Sequence, residues 1–464
     1  MKAVVMAAGE GSRMRSALGA SSASKLLYPL LGLPIIERVI LAAKRAGIKE
    51  FIVVTGYRGE EIERQLGEGR KLGVKIQYAF NQHWPQGNAY SLLSARPFIN
   101  PGERFFLLMG DHIFEPSLLS SFAEHVAART AEPSIRHNNK CLHFLAVDSA
   151  FCQGLDLDEA TKVFFVGKRI TSLGKGLQQF NGVDAGVFNF DYSIFFSLEK
   201  MIQKSDGSLS SALQIVIEKG KFEAFFFKGY FWQDIDNHSD LQQARHKLLT
   251  NLVSEKDGVV SRYLNRRLSL AITSRLSHFG VTPNTISLAS FSFCLLSAFL
   301  FVRGQNLAAA LLAQLASVID GVDGEIARLK FQESAFGSFF DSILDRYADA
   351  ILIGGISAAL LIKGAASPSA VLLAGFLALT ASPFSMLVKE KFVNLTGREY
   401  NSFELEGYLS YFPVNRDGRL AIIMLGGLFN QLLGTLILLA ILSNLQVVYR
   451  FVILRKYFLD VDHY

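Results

Sequence analysis

Residues 320–345, DGVDGEIARLKFQESAFGSFFDSILD, decide how the C-terminal half is read. They hold two carboxylate pairs, Asp320 with Asp323 and Asp341 with Asp345, at spacings of three and four that set each pair on one face of its own helix. The flanks are apolar: LAAALLAQLASVI leads in and ADAILIGGISAALLI follows. Acids in apolar helices are costly unless they bind metal, find partners or line a watery cavity. Two antiparallel helices joined by a loop around Phe331–Glu333 bring the pairs together. Converging carboxylates with little local cation to balance them call for one or two divalent ions. Gly324 and Gly337 leave room for a substrate to approach the backbone, and Arg328 is on hand for a phosphate. The competing reading is a buried ion-pair network using Arg328, Lys330 and Arg346; it leaves the glycines unexplained.

The order D-x2-D-G-x2-A-R-x8-G-x3-D-x3-D is filled by Asp320, Asp323, Gly324, Ala327, Arg328, Gly337, Asp341 and Asp345. It resembles the signature of CDP-alcohol phosphotransferases, membrane enzymes that form phosphodiesters from a CDP-activated alcohol. The resemblance implies that Asp320, Asp323 and Asp341 bind Mg²⁺, or Mn²⁺ in its place. It makes Asp345 the general base for the acceptor hydroxyl, with metal contact, and sets Gly324, Arg328 and Gly337 against the CDP part.

Working outward, residues 283–455 carry apolar runs near bilayer-spanning length. Six spans are expected, at 284–303, 305–321, 335–362, 368–388, 418–433 and 435–454. Upstream, residues 251–283 read as an amphipathic helix lying in the membrane interface, with Arg262, Arg266, Arg267 and Arg275 towards anionic headgroups. The alternative is that it packs against the soluble domain. A phosphorylated acceptor needs a cationic pocket, for which Lys389, Lys391, Arg416 and Arg419 are the candidates at span ends; headgroup contact is the competing reading for each.

Residues 1–250 alternate short apolar runs with charged stretches, as a soluble α/β domain does. Strand Lys2–Ala7 runs into AAGEGSRM, a Gly-rich turn opening a helix, where backbone N–H groups face an anion. Neither G-K-[ST] nor a third glycine at dinucleotide spacing follows. Then come Lys25, the strand FIVVTGY, the loop NQHWPQGNAYSLLSA and FFLLMGDHIF, a buried strand ending on Asp111. This succession resembles the Rossmann-like nucleotidyltransferase fold of sugar-nucleotide pyrophosphorylases. The resemblance implies that Gly9, Gly11 and Arg13 hold the triphosphate and that Lys25 neutralises charge during transfer. Asp111 then binds Mg²⁺ with an acid of Trp232-Gln233-Asp234-Ile235-Asp236, Asp234 preferred and Asp236 second. Ser24 stands where that family has Pro, at the end of the Ser/Ala-rich stretch SALGASSAS. The competing readings make Asp111 a strand-end cap and Lys25 a solvated charge.

Residues 148–190 resemble the acceptor side of cytidylyltransferases that activate inositol 1-phosphate, which implies Lys162, Lys175 and Asp184 near the alcohol phosphate. Solvated surface is the alternative for each. His143 and His238 read as ordinary structural or surface histidines.

The 464 residues, 50% hydrophobic, carry a net charge of +6, with mean hydropathy +0.27 and pI near 9.0. Length suggests two or more domains. The basic clusters RYLNRR and LVKEKF border apolar segments, so an anionic membrane surface explains them better than nucleic acid. Cys141, Cys152 and Cys294 show no metal-ligand spacing or disulfide framework, as fits a reduced compartment. MKAVVMAAG opens directly as a strand, without a signal-peptide pattern.

The expected architecture is thus an α/β nucleotidyltransferase domain over 1–250, the linker helix over 251–283 and an all-α transmembrane domain over 284–464, with the N-terminus cytoplasmic in the cell membrane. One half resembles makers of a CDP-alcohol and the other its consumers. VSRYLNRRLS, DGVDGEIARLK and FDSILDRYAD resemble bifunctional enzymes joining CTP:inositol-1-phosphate cytidylyltransferase to di-myo-inositol phosphate phosphate synthase. The substrates implied are CTP, CDP-inositol and inositol 1-phosphate, and the family's habit implies a homodimer through the membrane domain. Two rivals stand: transfer to or from a lipid in phospholipid synthesis, with the soluble half active or silent, and a nucleotide-sensing scaffold or transporter.

Overall fold

A computed structural model describes residues 1–14, 24–132, 142–150, 157–204, 206–253, 261–407 and 415–461. Most of the Ser/Ala-rich stretch before Ser24, together with Cys141 and Cys152, lies outside them. The chain divides into two compact units, Met1–Lys247 and Leu248–Tyr464.

Among its described residues, the first unit is organised by a 9-stranded mixed sheet. In chain order its strands are β1 (Lys2–Ala7), β4 (Glu50–Thr55), β5 (Lys75–Phe80), β6 (Arg104–Met109), β8 (His143–Asp148), β9 (Lys162–Val166), β10 (Arg169–Gly174), β11 (Gly182–Asp191) and β12 (Phe222–Phe227); short pairs are made by β2 (Pro29–Leu30) with β3 (Leu33–Pro34) and by β7 (His112–Phe114) with β13 (Trp232–Asp234). Spatially the large sheet runs β5-β4-β1-β6-β11-β8-β12-β10-β9. The run KAVVMA is apolar without alternation because β1 is flanked on both edges by parallel partners, β4 and β6, and is buried. The chain proceeds outward from β1 to β4 and β5, then returns to the other side of β1 as β6. That reversal is a topological switch point, and the crevice beyond the carboxyl ends of β1 and β6 is where such sheets bind ligands.

Among the described residues, these helices accompany the sheet: α1 (Ile35–Arg45), α2 (Gly59–Leu66), α3 (Asn88–Ser94), α4 (Pro116–Ala131), α5 (Ile194–Ile202), α6 (Leu209–Glu218) and α7 (His238–Thr250). Leu92, Phe195, Leu198, Leu213 and Val216 from α3, α5 and α6 join Val4, Ile52, Leu107 and Phe188 of the strands in one buried core. That core holds β1 and β6 rigid beneath the crevice.

Among its described residues the second unit is all helical: α8 (Arg266–Leu276), α9 (Pro283–Val302), α10 (Asn306–Leu329), α11 (Ala335–Ile362), α12 (Pro368–Thr396), α13 (Ser402–Glu406), α14 (Arg416–Leu428) and α15 (Leu432–Val461). Thr282 caps α9 and Pro283 follows at its first turn, where a missing N–H costs nothing. Ser334 caps α11, accepting from Gly337 N at 3.0 Å, and Phe331 takes φ 57° in the short turn after α10. The turn therefore falls where the sequence placed it. Helices approach closely through small residues: Ala298, Ala309, Ala313, Ala316, Ala359 and Ala374 share the bundle core.

The expected count of six spans is not met by length and hydropathy alone. Among the described residues, α9, α10, α12 and α15 are long and apolar enough to cross a membrane. Helix α11 is 28 residues long but carries Asp341, Asp345, Arg346 and Asp349. Helix α14 has 13 residues, roughly 20 Å at 1.5 Å per residue, short of a hydrocarbon core of about 30 Å. Four long apolar helices beside this acid-bearing pair make the chain a membrane protein.

The amphipathic segment is also more particular than expected. Arg262, Arg267 and Arg275 are exposed. Arg266 instead turns inward onto Glu325 at 2.6 Å, because that fully buried carboxylate needs a cation more than a headgroup does.

Candidate active sites

In the first unit the switch-point crevice gathers what the sequence proposed. The turn after β1 supplies Gly9 and Gly11, and the end of β6 supplies Asp111; with Arg13, Lys25 and Asp236 they line a cavity of about 230 Å³. Pairing of β13 with β7 sets Asp234 opposite His112, which brings the W-Q-D-I-D stretch beside Asp111 from far along the chain. Lys25 Nζ lies 3.0 Å from Asp111 Oδ2 and 2.7 Å from Asp236 Oδ1. Its side chain is 7% exposed, so it is no solvated surface charge, and Ser24 before it does not displace it. Gly11 has φ +60°, and a Cβ there would stand 2.8 Å from the Lys25 Cβ. The Gly turn and the lysine thus fit each other.

The acids divide their tasks. Asp236 gives one oxygen to Lys25 and the other to Arg13 Nη1 at 3.2 Å; Arg13 also pairs with Glu159. His112 Nδ1 lies 3.0 Å from Asp111 Oδ1 and 3.6 Å from Asp234 Oδ1. Asp234 Oδ1 is buried without a hydrogen-bond partner. Asp111, His112 and Asp234 therefore form a donor set whose ligand atoms lie within 4.8 Å of one another, which fits a divalent ion. His112 escaped the sequence reading; a histidine directly after a strand-end acid was the available signal.

Environment pushes these groups apart. Burial would raise Asp111, but the Lys25 charge and the His112 hydrogen bond outweigh it and hold the carboxyl well below its usual range. Burial raises Asp234 to about 6, with His112 opposing. Burial opposes charge on His112, yet Asp234 and Asp111 lift it to about 9. Asp184, raised by burial to about 6, lines a second cavity of about 350 Å³ together with Lys175, Asn88, Thr161 and Trp232. The two cavities share Arg13, Asp111 and Asp236, so two anions can meet there. Lys162 is not brought to this cavity: its Nζ sits 5.4 Å from the Phe180 ring, a cation–π contact that anchors it. His143 is buried and His238 exposed.

In the second unit Asp320, Asp341 and Asp345 converge, with carboxylate oxygens within 4.8 Å of one another. Asp323 accepts from Ser287 Oγ of α9 and from Gly324 N. An all-oxygen donor set of this charge fits one or two hard divalent cations. The ion-pair alternative named Arg328, Lys330 and Arg346. Arg328 donates to Leu252 O at 3.5 Å and Lys330 to Phe279 O at 2.6 Å; Arg346 comes only to 3.8 Å from Asp345. Arg416 is the cation the sequence undervalued: its Nη1 contacts Asp320 and lies 2.8 Å from Asp345 Oδ1.

Two cavities flank the acids. One, about 340 Å³, is lined by Asp323, Gly324, Arg328, Gly337, Asp341 and Asn284 among others, so the three expected CDP contacts, two from α10 and one from α11, line the same cavity. The other, also about 340 Å³, is lined by Arg346, Lys389, Arg416, Arg419 and Arg450 with Glu390 and Glu406. Arg346 Nε and Arg416 Nε are buried there without hydrogen-bond partners. Arg419 is held by Asp349 at 2.6 Å and Arg450 by Glu406 at 2.9 Å. Lys391 is exposed and lines neither cavity; it sits on the outward face of α12, two residues past Lys389. Arg450 escaped the sequence reading and Arg346 entered it only as an ion-pair partner for the acids, although a cation inside an apolar helix was signal enough.

Residues 3–162 match the family model of the MobA-like NTP transferase domain, and residues 280–405 match that of CDP-alcohol phosphatidyltransferase. Along nearly its whole length the chain is similar to the bifunctional IPC transferase and DIPP synthase of Rubrobacter xylanophilus, 32% identical over 463 residues that cover 98% of this chain and 96% of the relative. The protein of the same name from Thermococcus kodakarensis is 30% identical over 450 residues, covering 96% and 95%. The solved inositol-1-phosphate CTP transferase from T. maritima is 28% identical and covers 53% of this chain and 93% of that one, with a TM-score of 0.45.

Proposed function

The chain belongs to the family of bifunctional IPC transferases and DIPP synthases, and from that premise we propose how its two units divide the work. The first unit makes CDP-inositol and pyrophosphate from CTP and inositol 1-phosphate. The second transfers the inositol phosphate of CDP-inositol to a second inositol 1-phosphate and releases CMP.

In the first step a phosphate oxygen of inositol 1-phosphate attacks the α-phosphorus of CTP, and the bond to pyrophosphate breaks. Lys25 and Arg13 offset the repulsion between the two anions, and the Gly9–Gly11 turn presents N–H groups to the triphosphate. Lys175 and Asp184 line the alcohol side. Asp111 and Asp234 are the acids for the metal, since Asp236 is committed to Lys25 and Arg13. In the second step Asp345 takes the proton of an acceptor hydroxyl. The freed oxygen attacks the phosphorus bearing inositol, and the bond to CMP breaks. Asp320, Asp323 and Asp341 would hold Mg²⁺, or Mn²⁺, which when bound neutralises the diphosphate and the departing CMP.

One observation carries the choice of acceptor: the acid cluster stands between the Gly324–Gly337 cavity and a cavity of five cations. Arginine N–H groups without partners favour an acceptor that itself carries phosphate. Arg416 touches the acids and lines that cavity, so it can serve the incoming phosphate; Arg346, Lys389 and Arg419 surround the same space. A lipid acceptor would favour an apolar wall there.

Helices α11 and α14 complete a six-helix membrane bundle, their charges turned to the site rather than to lipid. Both steps use cytidine nucleotides, which places the first unit and the acid cluster on the cytoplasmic side of the cell membrane. The membrane unit also mediates a homodimer.

Phosphorus NMR of the purified protein with Mg²⁺, CTP and inositol 1-phosphate, without added lipid, tests the reading. The expected record is a CDP-alcohol signal that gives way to a new phosphodiester and CMP. CDP-inositol that accumulates unchanged would overturn the soluble acceptor, and CTP left intact would overturn the first step.

A further inference from the structure

Glu325 lies inside the signature, between Gly324 and Arg328, yet it faces away from the acids. It is two residues past Asp323 and five past Asp320, roughly 200° and 140° around a helix turning 100° per residue. Its carboxylate is fully buried. Three donors satisfy it, all from one face of α8: Arg266 Nη1 at 2.6 Å, Ser269 Oγ at 2.6 Å and Thr273 Oγ1 at 2.5 Å. Gly321 lies on that face as well: a Cβ there would stand 3.4 Å from Arg266 Nη1 and 3.8 Å from Ser269 Cβ, ordinary contact distances that show how closely α8 packs on α10.

A second link lies two to three helical turns earlier on α10. Asn265 donates to Ser317 Oγ at 2.9 Å and accepts from Gln314 Nε2 at 2.7 Å. Ser317 donates to Asp417 at 2.9 Å, the neighbour of the Arg416 that touches Asp320 and Asp345. The segment from Asn265 to Thr273 is thus fastened to the back of α10 and, through Ser317, to the start of α14.

We propose that Glu325 is a positioning residue for phosphotransfer: by locking α8 to α10 it fixes the rotation of α10, and so where Asp320 and Asp323 stand. A buried ion pair is poor evidence of stabilisation, but it specifies register well, because any other rotation leaves an uncompensated charge inside. Turning α10 by a fraction of a residue would carry both acids away from Asp341 and Asp345. The inference rests on the reading of those acids as the phosphotransfer site.

The test uses the full chain in detergent, well below its melting temperature, with three readouts: CMP release from supplied CDP-inositol, pyrophosphate release from CTP, and Mn²⁺ titration by electron paramagnetic resonance. The relevant Mn²⁺ sites are those lost in Asp320→Asn. Glu325→Gln is expected to lower kcat for CMP release about 10–100-fold and to weaken those sites about 10-fold, with pyrophosphate release and the KM for inositol 1-phosphate unchanged. Thr273→Val, which removes one donor at equal volume, is expected to act in the same direction, while Thr273→Ser behaves as wild type. Unchanged kcat and unchanged Mn²⁺ binding in Glu325→Gln would overturn the proposal, as would a parallel fall of both reactions, which marks a merely structural role. Should Glu325→Gln not fold, Thr273→Val decides on the same readouts. If the wild type releases no CMP from CDP-inositol, the functional reading fails, and the Mn²⁺ titration still decides the positioning role.

Discussion

Two buried histidines of the first unit meet opposite electrostatic fates. His112 has Asp234 and Asp111 to outweigh its burial and is lifted to about 9. His143, at the start of β8, loses its charge to burial first and to Arg104 next, and falls to about 3. Its Nδ1 accepts from Asp191 N at 3.3 Å, which suits the neutral ring. Linkage gives the sign for His143. The unfolded chain binds a proton near pH 6.5 and the folded chain does not, so folding loses about 1.4 kcal/mol per pH unit as pH falls from about 6.5 towards 3. Both tryptophans, Trp84 and Trp232, belong to the first unit, so their fluorescence reports its unfolding within the full chain. Denaturant titrations at pH 7, 6, 5 and 4 are expected to show a steeper loss of stability in the wild type than in His143→Gln. Equal slopes would mean that His143 keeps its proton in the folded state.

At the scale of elements, α11 matters because it carries Asp341 and Asp345 into the site and must therefore be seated firmly. Its seat is a close crossing with α9 at Gly355, where a Cβ would meet Ala298 Cβ at 2.8 Å and Ala298 O at 2.9 Å. Next door, a Cβ on Gly354 would meet nothing within 4 Å. Gly355→Val is therefore expected to destabilise the membrane unit by about 1–3 kcal/mol through overpacking. Gly354→Ala is expected to be neutral or to stabilise by about 0.5–1 kcal/mol, the ordinary gain of Ala over Gly in a helix. Thermal melting in detergent by circular dichroism separates them, and equal effects would deny the close crossing. The same elements show what the sequence can and cannot express. The spacings in DGVDGEIAR and FDSILD, the turn near Phe331 and the strand ending on Asp111 are local patterns, and helix and strand periodicity converts them directly into a shared face or a strand end. Pairing of Asp234 with His112 depends on two short strands more than a hundred residues apart, which no local period encodes. The cationic cavity likewise draws Arg346, Lys389, Arg416 and Arg450 from four helices, so Arg416 read as one more span-end charge until the bundle set it between Asp320 and Asp345. The sequence placed spans at 335–362 and 418–433, where α11 and α14 stand, yet neither has the length and apolarity of the four long spans, because α11 carries charges that serve the site and α14 has only 13 residues.

For the whole molecule, the product of one unit is the substrate of the other, and the two sites lie in separately compact parts of the chain with no residue in common. Nothing chemical requires CDP-inositol to be made and used by the same molecule. Lys25→Ala removes the cation that Asp111 and Asp236 hold in the first site, and Asp345→Asn removes the base of the second. Supplied with CTP, inositol 1-phosphate and Mg²⁺, the first variant is expected to make no CDP-inositol yet to release CMP when CDP-inositol is provided. The second is expected to build CDP-inositol and pyrophosphate and stop. Mixed in equal amounts, the two should restore the phosphodiester after a lag in which CDP-inositol rises, and the lag should shorten as protein concentration increases. Phosphorus NMR follows every species in one experiment. Failure of the mixture, when each variant still performs its remaining step alone, would mean that the intermediate does not pass through solution, and the two units would have to be regarded as one continuous site.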